Sequence, residues 1–276
     1  MSKRASSLKD INIEDIKNIA LKAGDAIMQI YAKDFEVEYK DDKSPLTEAD
    51  LKANEIICNS LKQLYPTIPL MSEENKQTPY EIRKDWEYYF CIDPIDGTKE
   101  FIKKNDEFTV NIALIYKDTP VLGVVYAPAL NELYYAKKDE GAYLSIIDKQ
   151  LSITKSRKLP YIKKDSATIN VVVSKSHLSK ETQEFINSLS TSNKRLSLVS
   201  KGSSLKLCMV ATGQVDIYPR LAPTMEWDTA ATDAIIRESG KMVYQYNSIF
   251  NNENTKLEQP IVYNKATLLN PWFIVK

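Results

Sequence analysis

The sequence predicts a layered α+β protein, and three observations predict it. Apolar residues recur at helical spacing near the start of the chain. Aromatic and β-branched runs separated by turn residues fill the middle. After about residue 160, short apolar strands and helical patterns alternate.

Taken in order, Ile13, Ile16, Ile19, Ala20, Ala23 and Ile27 fall on one helical face, with Asp10 or Asn12 placed to cap it. Leu51, Ile56, Ile57, Leu61 and Leu64 mark a second helix, opened by Thr47-Glu48-Ala49-Asp50. Strands are expected at 86–92, 108–116, 121–126, 133–136 and 142–144, arranged as an antiparallel meander. Further on, 171–173 reads as a buried strand, 179–190 as a helix, 195–200 as a strand and 204–212 as a helix. A strand at 215–218, a helix at 228–239 and a strand-like tail complete the chain. The Lys-rich polar stretch 154–168 is the expected boundary between an N-terminal half, 1–160, and a C-terminal half, 161–276. The two are expected to be closely joined and countable as one domain.

Lysine plus arginine balance aspartate plus glutamate at 37 each, so no global field favours a nucleic-acid polymer or a membrane surface. Local basic groups can still hold phosphate. Three scattered cysteines make no disulfide framework, which suits a reducing cytoplasm. No apolar run approaches the roughly 20 residues of a membrane span, and Met1-Ser2-Lys3-Arg4 leads into no signal-peptide core. A cytoplasmic protein is expected, with peripheral attachment to the cytoplasmic face of the inner membrane left open.

Asp93-Pro94-Ile95-Asp96-Gly97-Thr98 is the most informative stretch. It follows a run that reads as a buried strand, where carboxylates are costly unless a cation or donor compensates them. Pro94 fixes one dihedral and Gly97 permits a conformation closed to other residues, so a stiff turn is expected. Hard oxygen ligands on such a turn suit Mg²⁺. An ordinary Asp/Pro/Gly turn is the plainer reading. Two further acidic clusters weigh against it: Glu73-Glu74 after Pro66 and Pro69, and Trp227-Asp228 where a helix starts. Asp228 alone reads equally as a helix cap, but a multi-metal phosphatase needs carboxylates from several segments.

Competing chemistries fail on spacing. Pro94 occupies the place of the first Asp in the Asp-x-Asp-Gly-Thr loop of aspartyl-phosphate phosphatases. An EF-hand begun at Asp93 would need Glu at its twelfth position, which is Lys104. None of Cys58, Cys91 and Cys208 starts a Cys-x5-Arg loop, and there is no Gly-x4-Gly-Lys-Ser/Thr motif. His177 is the only histidine, which disfavours a His-rich zinc site and a Ser-His-Asp triad.

Together Asp50, Glu73-Glu74, the 93–98 motif and Trp227-Asp228-Thr229-Ala230-Ala231 resemble the inositol monophosphatase superfamily of lithium-sensitive phosphomonoesterases, across about residues 12–245. The segments 43–50, 96–101, 174–177, 201–206 and 218–224 resemble, more finely, the bacterial 3′(2′),5′-bisphosphate nucleotidases of sulfate assimilation. Asp233 and Lys241 depart from that pattern, and Asp233 is expected to alter the pocket wall.

The resemblance implies a layered αβαβα sandwich of the inositol monophosphatase and fructose-1,6-bisphosphatase type. It implies two or three Mg²⁺ ions, most of their ligands lying in the N-terminal half. Glu73, Asp93 and the Ile95 carbonyl would hold one ion; Asp93, Asp96 and Asp228 a second; Asp50 and Glu73 a weaker third. Glu73 and Thr98, supported by Asp50, would serve catalysis by metal-activated water. Gly97 and Thr98 are expected to open a helix whose N–H groups cup the phosphate; the plainer reading of Thr98 is a cap. Lys175, His177, Ser203, Ser204, Lys206, Tyr218 and Arg220, beside Asp228, are candidate substrate contacts. The alternatives are a solvated helix lysine for Lys206, a polar loop residue for His177, and a strand end for Tyr218 and Arg220.

The implied substrate is a small nucleotide bisphosphate, adenosine 3′,5′-bisphosphate, hydrolysed to AMP and phosphate. An inositol or sugar phosphatase is the second reading, and a non-catalytic metal-binding protein the third. The sequence is silent on oligomeric state.

Overall fold

Asn12 begins the first helix, α1 (Ile13–Tyr31), its side chain accepting from the Glu14 N–H at 3.1 Å. Glu14 and Asp15 add negative charge at the positive end of the helix dipole. In the computed structural model, the residues described are 7–40, 45–162, 167–174, 179–189, 194–246 and 259–276. Strands β1 (Val37–Tyr39) and β2 (Pro45–Thr47) pair antiparallel and lead into α2 (Glu48–Leu64). Thr47 caps α2, and the Asp50 side chain returns to accept from the Thr47 N–H at 2.8 Å.

The main sheet follows. It comprises β3 (Leu70–Ser72), β4 (Tyr88–Asp96), β5 (Thr109–Tyr116), β6 (Thr119–Ala127), β7 (Glu132–Lys137), β8 (Gly141–Ile147) and β9 (Ile153–Lys158), in that spatial order. Only β3–β4 is parallel; the other neighbours form the antiparallel meander that the spacing predicts. Short helices α3 (Tyr80–Arg83) and α4 (Thr98–Ile102) flank β4.

The central strands β4, β5 and β6 are buried on both faces, so they read as near-continuous apolar runs rather than as alternating ones. Phe90, Ile92, Ile112, Leu114 and Val124 meet Ile16, Ala23, Ile27, Ile57 and Leu61 of α1 and α2. Each of these Ile, Leu, Val and Phe side chains, fully buried, contributes about 1.5–3 kcal/mol. On the other face, Tyr89, Cys91, Ala113 and Val125 meet the next helical layer.

In the second half, β10 (Thr168–Ser174) and β11 (Arg195–Lys201) pair parallel, with α5 (Lys180–Leu189) between them in sequence. Next come α6 (Leu205–Thr212), β12 (Tyr218–Arg220), α7 (Glu226–Glu238), β13 (Val243–Gln245) and β14 (Phe273–Val275). Strand β14 lies between β12 and β13, and a bridge from Val171 to Ile217 links this group to β10. Helices α6 and α7 place Cys208, Ala231 and Ile235 against the main sheet, and Ile186 of α5 covers Val171 and Val173. The layers therefore run helix, sheet, helix, sheet, helix. One apolar cluster includes Tyr89 and Phe273, so residues from either side of position 160 share a core.

Four local expectations change. Strand β4 continues through Asp93-Pro94-Ile95-Asp96, so these residues form a bulged strand end, and the turn comes only at Gly97, φ +96°. Pro94 lacks the N–H a regular ladder needs, and the register shifts between Asp93 and Asp96. Helix α7 starts at Glu226, which puts Asp228 in its first turn rather than at its cap. The polar stretch 154–168 begins inside β9, whose polarity is that of a solvent-facing edge strand. Leu51 and Leu64 are about half exposed, off the buried face of α2.

Candidate active site

Four elements bring the acidic clusters together. The bulge in β4 carries Asp93 and Asp96. The Glu73 N–H donates to the Ile92 carbonyl at 3.1 Å, which ties the Glu73-Glu74 pair to the same strand. The first turn of α2 supplies Asp50, and the first turn of α7 supplies Asp228. Thr98, opening α4, places its hydroxyl 3.2 Å from Asp50 Oδ1 and 3.3 Å from the Ile95 carbonyl.

These carboxylates are short of compensation. Asp93 is buried and its Oδ1 has no hydrogen-bond partner. Burial pushes its carboxyl well above the usual range, and Glu73, Asp96 and Asp228 add repulsion. Burial also raises Asp50, Glu73 and Asp96. Asp228 is pushed up to about 8 by burial and by Asp96. Two cations answer this charge, Lys40, which is partly exposed, and Lys206, which is buried. Lys40 Nζ stands 2.9 Å from Glu73 and 2.7 Å from Glu74, and their attraction outweighs burial and raises its pKa. Lys206 is drawn down to about 8, because burial outweighs the attraction of Asp96.

A set of carboxylates and one backbone carbonyl is the donor chemistry of Mg²⁺, and the orphaned Asp93 Oδ1 fits that use. Among the described residues, no three Asp, Glu, His or Cys side chains stand grouped ready to hold an ion. The physical reason is visible in the hydrogen bonds: the other carboxylates are turned to protein donors. Asp50 takes the Thr47 hydroxyl at 2.6 Å, Glu73 takes Lys40, and Asp228 accepts the Met225 N–H at 2.9 Å. The Ser204 hydroxyl lies 2.5 Å from Asp96 Oδ2 and 2.9 Å from the Asp228 carbonyl.

Beside the carboxylates opens a cavity lined by Asp96, Gly97, Ser203, Lys206, Arg220 and Asp228, among others. Lys206 is buried, with Nζ donating to the Ser203 carbonyl at 2.5 Å and 5.7 Å from the Tyr218 ring centre. It is not a solvated helix lysine. Arg220 donates through Nη2 to the Pro223 carbonyl at 2.8 Å, while its buried Nε has no partner. Tyr218 is buried against Phe273, and burial raises its hydroxyl pKa.

Of the residues singled out in the sequence, Asp96, Gly97, Ser203, Ser204, Lys206, Tyr218, Arg220 and Asp228 line this one cavity. Thr98 joins Asp50 to the Ile95 carbonyl, and Glu73 and Asp93 lie in the same electrostatic cluster. Lys175 and His177 fall outside the described residues. Ser204 is 1 % exposed and its hydroxyl is taken up by Asp96, the Asp228 carbonyl and Asn111, so it supports the acidic cluster. Asp233 is not on the cavity wall: it is fully buried in a two-point pair with Arg237 at 3.0 and 3.1 Å.

Sequence reasoning missed Lys40 and Asn111. A signal existed for Asn111, an isolated amide inside the apolar run 110–115. Lys40 is one lysine among many and carried none.

Comparison with known proteins places the chain. The pattern of the inositol monophosphatase family matches residues 8–271. The chain belongs to that family. The 3′(2′),5′-bisphosphate nucleotidase CysQ of Salmonella typhimurium is 44% identical over 237 residues, 85% of this chain and 90% of that protein. The nucleotidase of the same name from Escherichia coli K12 is 39% identical over 95% of this chain and 98% of its own length. Among solved structures, CysQ from Bacteroides thetaiotaomicron superposes with a TM-score of 0.81 at 42% identity, covering 95% of this chain and 96% of that one. The suppressor protein suhB of Bartonella henselae gives 0.70 at 26% identity, over 84% and 86% of the two chains. Like them, the chain has the layered fold. No helix among the described residues is long and apolar enough to cross a membrane.

Proposed function

We propose that the chain is a Mg²⁺-dependent 3′(2′),5′-bisphosphate nucleotidase that hydrolyses adenosine 3′,5′-bisphosphate to AMP and phosphate, as in sulfate assimilation. The observation that carries this reading is a single cavity in which carboxylates of a metal-type cluster face two cations, the buried Lys206 and Arg220, whose Nε is buried. A monoester with one phosphate needs the first feature. A second, uncleaved phosphate needs the second as well. The names carried by the relatives agree with it.

Glu73, Asp93 and the Ile95 carbonyl would hold one ion, Asp93, Asp96 and Asp228 another, and Asp50 with Glu73 a third. Bound Mg²⁺ neutralises phosphate charge and lowers the pKa of the attacking water. Glu73 and Thr98 would orient that water. Thr98, hydrogen-bonded to Asp50, would hold a proton on the path to that carboxylate. The Gly97 and Thr98 N–H groups, at the mouth of α4, would receive the scissile phosphate. Lys206 and Arg220 would grip the other phosphate, with Tyr218 along the nucleoside.

Replacing Lys206 by Met keeps the buried stem and removes the charge. It should raise KM for adenosine 3′,5′-bisphosphate by about tenfold or more, from the loss of one charge-assisted hydrogen bond. KM for adenosine 3′-monophosphate should move less than about threefold. Steady-state kinetics on both substrates makes the test. Equal effects would remove Lys206 from the second-phosphate site and favour the inositol or sugar phosphatase reading.

A further inference from the structure

The turn between β11 and α6, Gly202-Ser203-Ser204, serves both halves of the site. Ser204 reaches Asp96, and Ser203 supplies the carbonyl that holds Lys206. Ser203 sits at φ +45°, a left-handed conformation that a serine does not adopt without external support. Two observations locate that support in the loop before β5.

First, Glu107 Oε2 accepts from the Gly202 N–H at 2.8 Å, across 95 residues of sequence. Its other oxygen lies 3.4 Å from Lys201 Nζ. The carboxylate is 12 % exposed and is itself absent from the cavity lining. Second, the backbones are pressed together at the same place. A Cβ on Gly202 would stand 2.8 Å from Glu100 Cγ, 3.0 Å from Glu107 Cβ and 3.1 Å from the Glu107 carbonyl. A Cβ on Gly97 would stand 3.0 Å from that same carbonyl and 3.1 Å from Ser203 Cβ. Glu107 thus touches both the turn that carries the cationic side and the glycine that shapes the phosphate cradle.

We infer that Glu107 is a positioning residue, which clamps the 202–204 turn onto the Gly97 cradle and so sets Ser204 on Asp96 and Lys206 in the cavity. The inference rests on the proposed site. Its agent is the hydrogen bond to Gly202; the ion pair with the partly exposed Lys201 is an exposed-type contact that adds little.

The substitutions Glu107→Ala, Glu107→Gln and Lys201→Ala separate these contributions. Gln keeps an oxygen acceptor for the Gly202 N–H and loses the charge. Two readouts serve: calorimetric titration of the substrate-free protein with Mg²⁺, and the separate KM and kcat values for adenosine 3′,5′-bisphosphate. Glu107→Ala should weaken Mg²⁺ binding and raise KM, each by about tenfold, the scale of leaving the buried Gly202 N–H without an acceptor. Glu107→Gln and Lys201→Ala should stay within about threefold of the parent on both. A Gln variant as impaired as Ala, or an Ala variant with unchanged Mg²⁺ affinity and KM, would overturn the inference. The Mg²⁺ titration is read without substrate, so it judges Glu107 even if the parent protein prefers another phosphate ester.

Discussion

Asp93 is buried, has an unpartnered oxygen and is repelled by four other carboxylates, Glu73, Asp96, Asp228 and Asp50. Such a residue costs folding free energy as a lone anion. Its replacement by Asn removes the charge at nearly constant shape. Asp93→Asn should therefore lower phosphate release by at least about a hundredfold, while the melting temperature in EDTA holds or rises. Near-normal turnover would refute the ligand role; a collapse of metal-free stability would refute the electrostatic account. Asp93 was legible in the sequence because its motif at the end of an apolar run stands with two further acidic clusters, Glu73-Glu74 and Trp227-Asp228. Ser204 was read only in part. Its presence in the site was visible from the Ser-Ser-Leu-Lys segment, but its direction depends on Asn111 in a different strand, a contact 93 residues away.

At the scale of elements, what could be read depended on whether the cause was local. Helix α2 was legible from its capping sequence, since Thr47 and Asp50 satisfy each other within one turn. The meander was legible from β-branched runs with turns between them. The bulge that ends β4 was not, because it is defined by where Asp96 pairs with Thr109 in a neighbouring strand. Likewise β9 fell largely within the polar stretch expected at the boundary, since an edge strand with exposed Lys and Arg has the composition of a loop. Helix α7 shows a related limit. Its first turn includes Glu226, whose buried carboxylate accepts from the Asn264 and Lys265 N–H groups at 2.7 and 3.0 Å. That distant segment extends the start of the helix beyond what the local pattern indicated.

The molecule as a whole concentrates raised carboxylates at one point between its layers, and pH dependence follows from it. Asp50, Glu73, Asp93, Asp96 and Asp228 all have folded pKa values above their ordinary ones. The folded state then binds more protons than the unfolded state above about pH 4, so stability present below that range is lost as pH rises. The window extends to about 8, the folded value of Asp228. Lys206, lowered to about 8, adds no slope below that pH because both states hold its proton there. The melting temperature in EDTA should thus fall between about pH 5.5 and about pH 8, and Mg²⁺ should flatten or reverse the fall. Identical slopes with and without Mg²⁺ would mean that the ion does not bind this cluster.

The central claim is that this cluster and the cations beside it form one site for a doubly phosphorylated nucleoside. The most direct test is kcat/KM with Mg²⁺ for adenosine 3′,5′-bisphosphate and for inositol 1-phosphate, measured on the same preparation. The account predicts a preference for the nucleotide of about a hundredfold or more, the worth of a second gripped phosphate. Equal values, or a preference for inositol 1-phosphate, would contradict it.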